Sequence, residues 1–508
     1  MRRTGLLLPL FSLPGSEPVG TIAGADTWRF LDQLVEGGFS FWQILPVPPD
    51  GANECPYSGT SAFAVEPMYL GLQALADDGL ISAAEWARGQ RGMPVPESAD
   101  RVPWQALRAW KDPLLDRAAQ AVPVAELDAW LESEGWWAYD WAAWWALKQE
   151  FRKGWQEWPS ALRDRDPKAV SEIPQRYRAG FHRAAALQLL VQRQWSAMRQ
   201  QVAQRGLRVM GDIPLYVAGD SSDCWANRAL FQLSPSGGSE IVAGAPPDAF
   251  TEDGQRWDNP VYDWTHSERT GHAWWRQRFR RLMGLVDEVR VDHFRGFSAY
   301  FSFPFDQSPR EGWWTPGPGR GLFDALALEY SELQGRPCTP EQLPVVVEDL
   351  GFIDEETVQL RDGLGFPGTK VLQFGFDGDS ANPHHPCHFP GPNCLACTGT
   401  HDNQTARGWY EAAPDWVRHH FDLMRGGRED SAARAMVRMA LESPAAHVVL
   451  PLQDVLNLDD RARVNVPGTV HGNWMWRAPW LEPGDISWIR ALNQQTGRAP
   501  LAESPRTS

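Results

Sequence analysis

"PVVVEDL", residues 344–350, sets three valines directly before two carboxylates. Consecutive β-branched residues favour an extended strand, and a strand apolar at every position is buried on both faces. That is the mark of a parallel sheet covered by helices, since an antiparallel strand with one wet face alternates apolar and polar. Similar short runs recur as "FWQILPV" (41–47), "LRVMGDIPLYV" (207–217), "EVRVDHF" (288–294), "KVLQFGF" (370–376), "CLACTGTHD" (394–402) and "AHVVLPLQDVL" (446–456). Amphipathic helical stretches separate several of them. Strands of this kind, with charged groups gathered at their C-terminal ends, predict an α/β fold closed as a (β/α)8 TIM barrel, whose working face is that end.

At 508 residues the chain accommodates one large barrel with insertions. The expected organisation is a single catalytic barrel over 1–508. It carries a mainly helical insertion at 71–205, a loop-rich insertion over the mouth at 218–272, a further insertion at 300–343 and a disordered polar tail at 502–508. The first insertion ends in the helix "FHRAAALQLLVQRQWSAMRQQVAQRG", where Gly206 suits the left-handed residue after a helix end. With 43% hydrophobic and 22% charged residues the composition is that of an ordinary packed globule.

A net charge of -16 leaves no excess of Lys and Arg to release counterions, which argues against a nucleic-acid partner. No apolar segment approaches the roughly 20 residues needed to span a bilayer, so no membrane association is expected. The N-terminal "MRRTGLLLPLFSLPG" imitates a leader, but Pro9 interrupts its short apolar run and no small-x-small site follows directly. Six scattered cysteines suit a reducing compartment, the cytoplasm. The 27 tryptophans invite a sugar-stacking role. However, Trp137, Trp141, Trp144 and Trp145 recur at helical spacing, which reads as packing.

In "EVRVDHFRG" the period of two puts Arg290 and Asp292 on one strand face. A guanidinium there depresses the carboxylate's pKa and holds one oxygen forward, as a nucleophile needs, although a structural ion pair has the same pattern. In "VVVEDLG" Glu348 and Asp349 face opposite ways, so one points into the mouth. A Glu after three valines is desolvated and has its pKa raised, which a general acid requires. In "TGTHDNQ" Gly399 lets the strand turn out, presenting His401 and Asp402 at the rim. Two carboxyls of opposed protonation suit glycosidic bond cleavage, and their separation decides between retention and inversion.

"GDIPLYV", "VRVDHFRG", "VVVEDLG" and "TGTHDN", in this order, resemble the signature regions of the α-amylase clan. More narrowly, they resemble the 4-α-glucanotransferases called amylomaltase or disproportionating enzyme, glycoside hydrolase family 77. "SLPG", "PYSGTSAF", "VAGAPPDAFTEDGQRWDNPVY", "GFPGTKVLQFGF" and "NVPGTVHGNWMWR" extend the likeness over roughly residues 5 to 480. The resemblance implies Asp292 as the nucleophile forming a β-glucosyl-enzyme, Glu348 as general acid/base and Asp402 as the third, transition-state-stabilising carboxylate. Arg290 and Asp212 would organise the nucleophile, His401 would hydrogen-bond the transferred sugar and Tyr57 would stack beneath it. Gln255 and Trp257 would contact glucan on the acceptor side, with Asn465 contributing there. The implied reaction is retaining transfer between an α-1,4-glucan donor and acceptor, with no cofactor and no metal.

Three departures fall near the site: Cys55-Pro56-Tyr57 stands for the family's Ser-Pro-Tyr, Val65-Glu66-Pro67 for its Gly-Asn-Pro, and Gln404 for the acidic residue after "THDN". They bear on chain-length preference, not on the reaction. The alternatives are an amylase-like hydrolase on the same fold, or a silent glucan-binding protein, which would need no acid/base pair. The run "HHPCHFPGPNCLACTGTHDNQ" (384–404) first resembles a zinc site. On a strand, however, Cys394 and Cys397 lie roughly 10 Å apart on opposite faces. His384, His385, Cys387 and His388 are expected in a loop below that strand, away from the catalytic face. Asp220 and Asp223 in "GDSSDCWAN" read as helix-capping surroundings rather than calcium ligands.

Overall fold

The computed structural model describes residues 2–49, 54–96, 98–247, 252–379, 381–426 and 431–499. The tail at 502–508, expected to be disordered, lies outside the described residues. In chain order the strands are β1 (Arg3–Leu7), β2 (Phe41–Gln43), β3 (Arg208–Ile213), β4 (Ile241–Ala245), β5 (Gln255–Pro260) and β6 (Glu288–Val291), followed by β7 (Ala299–Pro304), β8 (Trp313–Pro316), β9 (Val345–Val347), β10 (Gly368–Val371), β11 (Cys394–Cys397) and β12 (His447–Pro451). Eight of them close a parallel barrel in the order β1-β12-β11-β10-β9-β6-β3-β2. With its surrounding helices this is a (β/α)8 TIM barrel.

Three features went unread in the sequence. The leader-like N-terminus is itself the first barrel strand, buried from Thr4 to Leu7. At Gly5 an added Cβ would sit 2.1 Å from the Phe41 ring of the neighbouring strand, so the absence of a side chain makes room for that phenylalanine. The strands are also shorter than the apolar runs. Residues Leu372–Phe376 turn into a 3-10 helix and Leu452–Val455 into a helical turn as soon as the barrel wall ends. Finally, the segments read as loops around 218–272 and 300–343 contain a four-stranded antiparallel sheet in the order β5-β4-β7-β8. Their polar, Gly- and Pro-rich composition hid short paired strands.

Between β2 and β3 the chain is mostly helical. Helix Val124–Phe151 packs on helix Arg178–Gln204, whose end is followed by Gly206 at φ +67. Trp137, Trp141 and Trp144 are at most 4% exposed, so the tryptophan stripe is packing. A buried ion pair ties this region to the barrel: Lys111 Nζ lies 2.6 Å from Glu17 Oε2, while Glu17 Oε1 accepts from the Leu72 amide. Ser221 caps the short helix Ser222–Ala226, and Asp220 pairs with Lys148.

All six cysteines are free, and Cys394 and Cys397 are buried in β11. His384 accepts a hydrogen bond from the amide of Val371, the last residue of β10. That part of the histidine loop thus folds back to the end of the preceding strand rather than lying below β11. Among the described residues no group of three or more His, Cys, Asp or Glu side chains is placed to hold a metal, and no helix is long and apolar enough to cross a membrane.

Candidate active site

Strand register assembles the site. Asp212 of β3 pairs with Arg290 of β6, and Val291 pairs with Val347 of β9. The residues that follow, Asp292 and Glu348, therefore leave neighbouring strands at the same level, with backbones about 5 Å apart. Arg290 is shared by two carboxylates: its Nη1 lies 2.7 Å from Asp212 Oδ2 and 2.8 Å from Asp292 Oδ1. Asp292 keeps a quarter of its side chain exposed, whereas Asp212 is enclosed. The pairing of Arg290 with Asp292 on one strand face is thus as the spacing implied.

Glu348 sits differently. Its Oε2 accepts from the His293 amide at 2.8 Å and its Oε1 from the Leu350 amide at 2.9 Å. Burial nonetheless pushes its carboxyl up to about 7, opposed by Arg290 and reinforced by Asp292. Asp349 points the other way, accepting from Arg361 and from the Thr369 amide. Burial likewise raises Asp212, against Arg290 and a hydrogen bond from the Tyr57 hydroxyl, 3.0 Å from Asp212 Oδ2.

His293 adopts φ +47, a left-handed conformation unusual for a residue with a Cβ. The strain turns its amide toward Glu348 immediately after the Asp292 side chain has entered the mouth. No sequence signal marked His293, because what it contributes is a backbone group.

The third acidic residue is held from the eighth strand's excursion. Asn465 Nδ2 donates to Asp402 Oδ1 at 2.6 Å, and Arg463 Nη2 to the Asp402 carbonyl at 2.6 Å. Asn465 is thus a partner of Asp402 in this structure, and Arg463 is a contact that sequence reasoning missed. His401 lies 3.3 Å from Asp402 Oδ1; burial holds its imidazole below its usual range, against the pull of Asp402. The Tyr57 ring stacks on His401 with centroids 5.1 Å apart and 13° between planes. Trp257 meets the His293 ring edge-on at 5.0 Å, and its Nε1 donates to Gln255 Oε1. The structure thus gathers Tyr57, Asp212, Arg290, Asp292, Glu348, His401, Asp402 and Asn465 at one barrel end, with Gln255 and Trp257 reaching it from β5.

Residues 8–482 match the family model described as 4-alpha-glucanotransferase. The 4-alpha-glucanotransferase of Thermus thermophilus is 38% identical over 98% of this chain and 99% of its own length. The chloroplastic/amyloplastic 4-alpha-glucanotransferase of Solanum tuberosum is 37% identical over 94% of this chain and 82% of its own. Among solved structures, the amylomaltase from Streptococcus agalactiae in complex with acarbose superposes with a TM-score of 0.92 at 29% identity, covering 98% of this chain and all of that one. Matched along nearly its whole length in both sequence and shape, the chain belongs to the 4-alpha-glucanotransferase family.

Proposed function

We propose that the chain transfers a segment of an α-1,4-glucan to the 4-hydroxyl of another glucan or of glucose, by a retaining double displacement. The observation that carries this reading is the contrast between two carboxyls at the same level of the mouth. Asp292 is ion-paired to Arg290, while Glu348 is desolvated and raised to about 7. Asp292 and Glu348 leave neighbouring strands at one level, an arrangement compatible with the close carboxyl pair of a retaining enzyme.

In this scheme Asp292 attacks C1 of the donor sugar as Glu348 delivers its proton to the departing O4. The C1–O4 bond breaks, a β-glycosyl ester forms on Asp292, and the reducing-end fragment leaves. Glu348, now a carboxylate, takes the proton from the acceptor's 4-hydroxyl. That oxygen attacks C1, the ester breaks, and Asp292 is regenerated with an α-1,4 bond re-formed. Asp402 and His401 bind hydroxyls of the transferred sugar and favour its flattened, positively charged transition state. Arg290 and Asp212 hold the nucleophile, and Tyr57 orders the same subsite. Gln255 and Trp257 border the acceptor side, where an ordered sugar outcompetes water by positioning. Six unpaired cysteines are compatible with a cytoplasmic setting.

The test is chemical. An α-glucosyl fluoride needs no proton on its leaving group, so a Glu348→Gln variant should react with it and stall as the ester. Peptide mapping should find one added hexose on Asp292. A hexose on any other residue, or none, contradicts the assignment.

A further inference from the structure

Asp454 follows β12 and is 1% exposed. Its Oδ2 accepts from the Thr398 hydroxyl, and its Oδ1 accepts from the Ala406 amide at 2.7 Å. Thr398 is the first residue after β11, and Ala406 opens the helix Ala406–Ala412. Between them lies the turn 399–405, which carries His401 and Asp402. One enclosed carboxylate thus grips both ends of the turn that presents two site residues. Neither contact involves Asp292, Glu348, His401 or Asp402.

The rest of the turn is held by other partners, with Arg463 and Asn465 both on Asp402. Within it Thr400 and Asn403 bond each other, and Asp402 leans on the Thr400 hydroxyl. Asp460 grips the far end through the Thr405 amide and Gln404 Nε2, and Gln373 reaches the Gln404 carbonyl. The Thr398 end has only Asp454 as a side-chain partner among the hydrogen bonds above.

We propose that Asp454 is a positioning residue for the reaction: by fixing the two ends of the turn relative to each other, it sets where Asp402 and His401 stand against Asp292 and Glu348. The inference rests on the roles given above to Asp402 and His401. A displacement of about 1 Å in such groups costs far more in turnover than in ground-state binding.

The experiment compares Asp454→Ala, Thr398→Val and Thr398→Ser in the full chain, with maltotriose as donor and acceptor. Melting temperature and far-ultraviolet circular dichroism are recorded on the same preparations. Alanine at 454 removes the acceptor of both partners, so kcat per folded molecule should drop about tenfold or more while KM moves by less than about threefold. Thr398→Val should lower kcat in the same direction, and Thr398→Ser, which keeps the hydroxyl, should restore it. Wild-type kcat in folded Asp454→Ala, with any loss confined to melting temperature, overturns the proposal. If Asp454→Ala does not fold, the threonine pair decides: equal kcat in Thr398→Val and Thr398→Ser overturns it. An inactive wild type would instead strike the functional reading itself, which keeps the two failures distinguishable.

Discussion

The amide of His293 donates a 2.8 Å hydrogen bond to Oε2 of Glu348, so the residue after Asp292 supports the second carboxylate of the mouth. The contact couples the ends of β6 and β9 and fixes Glu348 without neutralising it. In the proposed mechanism Glu348 carries a proton when the donor bond breaks. With its carboxyl at about 7, kcat/KM for maltotriose should fall as pH rises through that value. A pH profile with no decline until well above pH 9 would remove Glu348 from the general-acid role.

The same shift destabilises the fold at high pH. Glu348 binds its proton more tightly folded than unfolded, so stability is full below the unfolded value near 4.5 and is lost as pH climbs through about 7. Glu348→Gln should therefore stabilise the protein at pH 8, on the order of 1–3 kcal/mol, and change little at pH 4. Thermal unfolding at both pH values measures this; an equal effect at each would deny the shift.

Asp292→Asn should abolish transfer, lowering kcat at least about 1,000-fold with the fold intact. Arg290 keeps Asp212 as partner, so little structural loss follows. Kinetics and circular dichroism on one sample check both halves.

Lys111→Met should destabilise strongly, by about 3–5 kcal/mol, because it leaves the Glu17 carboxylate enclosed and unpaired. Adding Glu17→Gln should recover part of the loss. Urea unfolding of the single and double variants tests the pair; additive losses would contradict the coupling.

The barrel was legible wherever successive apolar residues ended in a charged group, as in "VVVEDL" and "EVRVD". Those side chains declare both burial and the open rim. Arg3–Leu7 escaped because a short apolar run behind two arginines looks alike in a strand and a leader. The small sheet escaped because its strands pair across distant segments of polar composition. Within the site, side-chain chemistry at strand ends was readable, and so were Arg290 and Asp292 by their spacing. The amides of His293 and Leu350, and the grip of Arg463 and Asp454 on the 398–406 segment, were not. Backbone donors carry no residue signature, and a loop's partners depend on how β11 and β12 turn out of the wall.

The central claim is transfer between glucans, and product analysis of maltotriose tests it most directly. The account predicts glucose together with a ladder of maltodextrins longer than the substrate, with little net gain in reducing ends. Glucose and maltose alone, with reducing ends rising and no lengthened product, would contradict it.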